Sequence, residues 1–178
     1  NEFIQNIEKP LPGFPVWADR LKDLDPDENI EGYAKWERTF IIKNNALYKK
    51  NKPFIDKWLK KSDKIELFKG SKAMFEWQAG QIDNPDIWNT IMHFRPSGIR
   101  VKKPTYFPAL VAITQTSIVG KLKRFITPRE ASRLQSFSEN FKLNDKDNVS
   151  YKQFGNAVNV QVVKTVSYTH LTLPTTSS

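Results

Sequence analysis

The sequence of 178 residues contains no cysteine. A disulfide framework and a thiolate zinc site are thereby excluded. Histidine is nearly as scarce: His93 and His170 are the only two, and they are far apart. With neither cysteine nor paired histidines, no metal site is expected. No run approaches the ~20 consecutive apolar residues of a membrane-spanning helix. The opening residues, NEFIQNIEKPLPG, lack the basic start and apolar segment of a secretory signal. A soluble, cytoplasmic protein with no membrane partner is the expectation. No internal repeat is visible.

Hydrophobic residues make up 39%, enough for a core in one domain, or in one domain with a small appendage. There are 28 Lys and Arg against 19 Asp and Glu, a net charge of +9 with a pI near 9.6. Such a balance favours an anionic partner, nucleic acid first; ordinary solubility charge is the alternative.

Residues 1–15 read as a linker with Pro10, Pro12 and Pro15 close together, and the absence of an initial Met raises the expectation of a piece of something longer. Asp25-Pro26-Asp27 reads as a turn or a helix start. From Lys43 to Lys64, eight lysines and two aspartates give a local balance of +6, with Tyr48, Phe54 and Trp58 interleaved. Phe54, Trp58 and Leu59 suit one face of an amphipathic helix after Pro53. The aromatics read as a packed stripe; the lysines fit a phosphate-facing surface and a solvated face equally well. Trp77 and Trp88 read as core or interface residues. Arg95 and Arg100 flank a Ser-Gly turn, where they suit either a phosphate or guanine edge or a structural ion pair. Residues 107–113, FPALVAI, read as a short buried strand. Thr114, Gln115, Thr116 and Ser117 follow on a loop beside Lys121, Lys123 and Arg124. Small hydrogen-bonding side chains next to positive charge suit base edges, and a plain hairpin loop is the alternative.

Two blocks organise the C-terminal part. In the first, Thr127-Pro128-Arg129-Glu130 has the form of a capping box with proline at the first helical position. Ala131, Leu134 and Phe137 then recur at helical spacing, which predicts a helix near 128–136. Residues 140–150 read as a polar loop, with Asp145 and Asp147 as solvated turn residues. The second block turns at Gly155. Asn156 reads as an N-cap, and Val158, Val162, Val163 and Val166 as the apolar stripe of a helix near 157–166. The last residues, SYTHLTLPTTSS, break that pattern and read as disordered or artefactual.

The wording of the blocks resembles the last two conserved motifs of the DNA (cytosine-5) methyltransferases. The first family motif, roughly R-x-L-T-x-R-E-x-A-R-L-Q-G-F-P, is matched from Arg124 to Ser138, with Ser136 and Ser138 in place of Gly and Pro. The second, roughly Y-K-Q-x-G-N-S/A-V, is matched from Tyr151 to Val158. The resemblance implies an α+β chain: an irregular target recognition domain over 1–126, then closing motifs over 127–166 that return to a Rossmann-like catalytic domain. The main sheet of that S-adenosylmethionine-dependent domain would be absent here, and 167–178 would be a tail.

In the family, the methyl of S-adenosylmethionine goes to C5 of a cytosine flipped out of duplex DNA, and a Cys thiolate attacks C6. This chain has no such thiol, nor the family's Pro-Cys, Glu-Asn-Val, Gln-x-Arg-x-Arg or cofactor-loop motifs, so no catalytic residue is assigned to it. The resemblance implies that Asn156, Ala157 and Val158 approach S-adenosylmethionine, and that Arg95, Arg100, Lys102, Lys103, Thr114, Gln115, Thr116, Lys121, Lys123 and Arg124 meet duplex DNA. A separate catalytic N-terminal half is the implied protein partner, without which the valines lose packing. The alternatives are a stand-alone, non-enzymatic DNA-binding module and a protein-interaction module with incidental charge.

Overall fold

The computed structural model describes residues 1–60, 74–112 and 117–172, with side chains to 169 in the last helix. Two compact units are present: 1–106 with 118–123, and 107–117 with 124–178.

The first unit begins with helix α1 (Glu2–Asn6). The expected linker is anchored instead, because Phe3, Ile4 and Ile7 are buried in the core. Asp25 does make a turn, its side chain accepting from the N–H of Asp27 at 3.0 Å. Helix α2 (Lys35–Lys60) starts well before Pro53 and runs through it, against the expectation of a helix after that proline. Its backbone leaves helical geometry at Asn51 (φ −117°, ψ 19°). Proline lacks an N–H and its ring crowds the preceding turn, which accounts for a kink here.

Asn51 stitches the kink, its amide donating to the Leu47 carbonyl at 2.9 Å and its Oδ1 accepting from the Glu8 N–H at 2.7 Å. One turn and more upstream, buried Asn44 bonds the Pro15 carbonyl and the Trp17 N–H, and Asn45 the Lys22 carbonyl. These three asparagines, themselves buried, bond backbone groups of the N-terminal segment and so satisfy their own polar side chains. Tyr48 is buried, and Phe54, Trp58 and Leu59 pack against the core, as the aromatic stripe predicts. Lys43, Lys49, Lys50, Lys52, Lys57 and Lys60 are exposed; residues 61–64 lie outside the described residues.

Strands β1 (Val16–Trp17), β2 (Met74–Gln78), β3 (Ile91–Arg95), β4 (Gly98–Lys102) and β5 (Ser117–Val119) are ordered β1-β2-β4-β3-β5 in a mixed sheet. The β2–β4 pair is parallel, and β1–β2 and β3–β4 are antiparallel. The Ser-Gly turn closes the β3–β4 hairpin. Gly98 has φ +136°, and a Cβ there would lie 1.9 Å from the Met74 carbonyl oxygen, so only glycine fits. Trp77 is a core residue; Trp88 stands at the surface.

The second unit corrects several expectations. Residues 107–112 form no strand, and Ile113 lies outside the described residues. Pro108 cannot donate to a ladder, and Val111 is exposed. After β6 (Arg124–Phe125) comes helix α3 (Pro128–Leu134), as predicted and with its capping box complete. Helix α4 (Asp147–Asn156) occupies what reads as loop and turn, so Asp147 opens a helix. Asn156 is therefore the last residue of α4 and not an N-cap. The cap belongs to Asn159, whose Oδ1 accepts from the N–H groups of Gln161 and Val162. Helix α5 (Val160–Thr172) follows, starting later than predicted and running through the first part of the supposed tail. The change of residue style after Val166 is no helix breaker, since no Gly or Pro occurs before Pro174.

Candidate functional site

In the second unit, the two sequence blocks clasp one another through main-chain groups that helix ends leave unpaired. Gln135 donates its side-chain amide to the carbonyls of Phe154 (2.8 Å) and Ala157 (3.1 Å), closing the C-terminus of α4. Its own carbonyl accepts from the N–H of Val160 at 3.0 Å. Asn159 caps α5 with its oxygen while its nitrogen donates to the Leu134 carbonyl at the end of α3. Tyr151 donates its hydroxyl to the Ile126 carbonyl at 2.6 Å. Burial, then the carboxylates of Asp147 and Glu130, raise the Tyr151 pKa, so the phenol keeps the proton it donates. Gly155 lies against the backbone of Val111 and Ala112: a Cβ would sit 2.1 Å from the Val111 oxygen. Tyr151, Gln153-flanked Phe154 and Gly155 thus belong to the motif for packing reasons, and these roles are not evident from spacing alone.

The capping box is reinforced. Glu130 accepts from the Thr127 N–H at 2.7 Å and pairs with both terminal nitrogens of Arg124 at 2.8 and 2.9 Å. The Arg124 guanidinium, then the Thr127 bonds, hold the Glu130 carboxyl down to about 2. Arg124 is accordingly committed to α3. Ser136 follows α3 with φ +59°, and its N–H and that of Phe137 bond the carbonyls of Arg133 and Ser132. That is a left-handed helix stop, built with serine where the family motif has glycine.

Asn156 and Val158 are exposed beside this clasp, Val158 at 66%, and Ala157 is half-buried with its carbonyl taken by Gln135. These residues offer an amide and methyl groups, a chemistry that fits one wall of a cofactor pocket. Val160, Val162, Val163 and Val166 are exposed on α5.

In the first unit, strand register sorts the candidates into faces. Trp77, Val101 and Met92 lie in one cross-strand row facing the core. The opposite face carries the row Glu76, Arg100 and His93, then Gln78 and Lys102, with Arg95 opposite Gly98. Arg100 donates its Nε to Glu76 at 2.7 Å, the ion pair that sequence left as one alternative. Burial, then the charges of Arg95, Arg100 and Lys102, lower the His93 pKa, which keeps the imidazole neutral near pH 7. Glu76 and His93 were not evident from sequence; the alternation of polar residues at 76 and 78, 93 and 95, and 100 and 102 is the signal that reveals their face. Lys102 lies over the Tyr106 ring (5.4 Å) and Lys123 over the Trp88 ring (5.3 Å). Lys103 lies along Gly80, away from this row. Lys121 is exposed. Thr114, Gln115 and Thr116 lie outside the described residues. Among the described residues no acidic or histidine group could hold a metal ion, and no helix is long and apolar enough to cross a membrane.

Comparison with known proteins bears on these motifs. The family model for C-5 cytosine-specific DNA methylase matches residues 13–171. Type II methyltransferase M.AluI of Cellulosimicrobium cellulans is 35% identical over an alignment covering 92% of this chain and 39% of that protein. M.HgiCI of Herpetosiphon aurantiacus is 56% identical over 24% of this chain and 10% of its own length, and M.HhaI of Haemophilus parahaemolyticus 30% over 40% and 22%. The chain thus spans well under half the length of these relatives. No solved structure matches. Since the family model extends over both units and both clasped blocks, the chain belongs to the C-5 cytosine-specific DNA methylase family.

Proposed function

We propose that the chain is the recognition and closing part of a DNA (cytosine-5) methyltransferase, which reads duplex DNA and completes a catalytic half located elsewhere. The observation that carries this is the second unit: its motif residues are locked to one another, while the valine face of α5 and the adjoining Asn156 and Val158 remain exposed. A catalytic half would cover that face and gain the wall formed by Asn156, Ala157 and Val158. S-adenosylmethionine, when bound, supplies the methyl group; this chain contributes positioning, because it has no cysteine to attack the base. The main sheet of the methyltransferase fold belongs to the half proposed here as partner. Arg95, Arg100, Lys102, Lys103, Lys121 and Lys123 supply phosphate and base contacts in the first unit, and Thr114, Gln115 and Thr116 read base edges. Arg124 acts chiefly by holding α3.

The test is labelled methyl transfer to duplex DNA by the chain alone and with the catalytic part of M.AluI added in trans. Transfer only in the mixture is the expected result, and transfer by the chain alone would overturn it. The basic sheet face favours a second reading, a stand-alone DNA-binding module; DNA binding without complementation by any catalytic half would select it.

A further inference from the structure

The short turn Gly120–Leu122 is built to hold one apolar side chain out in solvent. Gly120 is locked in place: its N–H donates to the Thr90 carbonyl at 2.9 Å, and a Cβ would meet the carbonyl oxygens of Ile87, Thr90 and Trp88 at 2.6 to 2.8 Å. The next anchor is Lys123, whose N–H donates to the Gly120 carbonyl at 3.0 Å and whose backbone is left-handed, φ 51°. Its ammonium rests over the Trp88 ring. Between these fixed points Leu122 is 51% exposed, with exposed Lys121 and Lys123 on either side. An exposed leucine on a mobile loop is ordinary. One held on a turn that is hydrogen-bonded to the Thr90 carbonyl, packed through its glycine against the carbonyls of Ile87 and Trp88, and flanked by two cations has the three properties of a wedge for a base stack: an apolar tip, a rigid mount, and charges that hold the neighbouring phosphates.

We propose that Leu122 inserts between base pairs of the bound duplex and opens one step of the stack, with Lys121 and Lys123 gripping the flanking phosphates. This rests on the reading of duplex DNA as partner and adds the residue that deforms it. Opening a step costs unstacking energy, and a side chain that fills the gap offsets that cost.

The experiment first selects a preferred duplex from a randomised pool with the full chain, then places 2-aminopurine at each position of that site in turn. This base analogue brightens when it is unstacked. Bound wild-type chain is expected to brighten one position at least about twofold, Leu122→Met to retain the rise, and Leu122→Ala to lose most of it while affinity falls about tenfold. Lys123→Ala is expected to weaken binding and its salt dependence yet keep the rise in the saturated complex. An undiminished rise with Leu122→Ala, or no brightening at any position, overturns the wedge and leaves the DNA-binding reading standing. Failure of every duplex to bind overturns both.

Discussion

At the scale of single residues, the described part of the second unit contains one conformational cost and several that have been avoided. Ser136 sits at φ +59°, where a Cβ costs roughly 1–2 kcal/mol. Glycine removes that cost but gains freedom in the unfolded chain, which returns part of it. Ser136→Gly should therefore stabilise the chain by about 0.5–1 kcal/mol in denaturant unfolding. Gly155→Ala should act oppositely. Its Cβ would meet backbone and not a flexible side chain, so a loss of about 1–3 kcal/mol is expected in the same measurement. Glu130 makes the prediction about pH. Its folded pKa is depressed to about 2, so its contribution is complete above the ordinary carboxylate range and is lost as pH falls toward that value. The pair with Arg124 is partly exposed, so solvent screening limits its worth. Glu130→Gln should cost about 1 kcal/mol at neutral pH and flatten this part of the acid-unfolding profile.

At the scale of elements, legibility in the sequence followed how local the physics is. Helix α3 was readable because a capping box lies within four consecutive residues, Thr127 to Glu130. The turn at Ser97-Gly98 was readable from its residues, whereas the two strands it joins were not. The end of α4 was not, because Gly155 looks like a turn and functions as a close approach to Val111, a contact between segments more than forty residues apart in sequence. Asn156 looks like a cap for the same reason: only the tertiary clasp of Gln135 and Asn159 decides where α4 stops and α5 starts. The anchored N-terminus was likewise hidden, since Asn44, Asn45 and Asn51 satisfy it from a distant helix. The Val face of α5 was legible as a stripe, and its exposure gives the element its prediction. Val162→Lys should leave unfolding of the chain unchanged within about 0.5 kcal/mol, because Val162 is 56% exposed. The same change should abolish methyl transfer in the complementation assay. A destabilised isolated chain would mean that the face is already packed, contrary to its exposure.

At the scale of the whole molecule, a net charge of +9 predicts how DNA binding responds to salt. Each phosphate neutralised contributes about 0.9 to the slope of log affinity against log salt. Arg95→Ala and Lys103→Ala should each lower the slope by about that amount on every duplex, preferred or random. Arg100 differs, because its Nε is engaged by Glu76. Arg100→Ala leaves Glu76 facing DNA without its partner and adds repulsion to the lost contact. The double change Glu76→Gln with Arg100→Ala should therefore bind better than Arg100→Ala alone. Gln115 carries no charge, so Gln115→Ala should leave the slope unchanged while costing about 1–3 kcal/mol on the preferred duplex alone. Affinities measured across a salt series, for preferred and random duplexes in parallel, separate these outcomes. Equal loss on both duplexes for Gln115→Ala would show that the loop positions the backbone. No response to Arg95, Arg100 or Lys103 would move the interface away from these three, and the exposed lysines of α2 then become candidates beside Lys121 and Lys123.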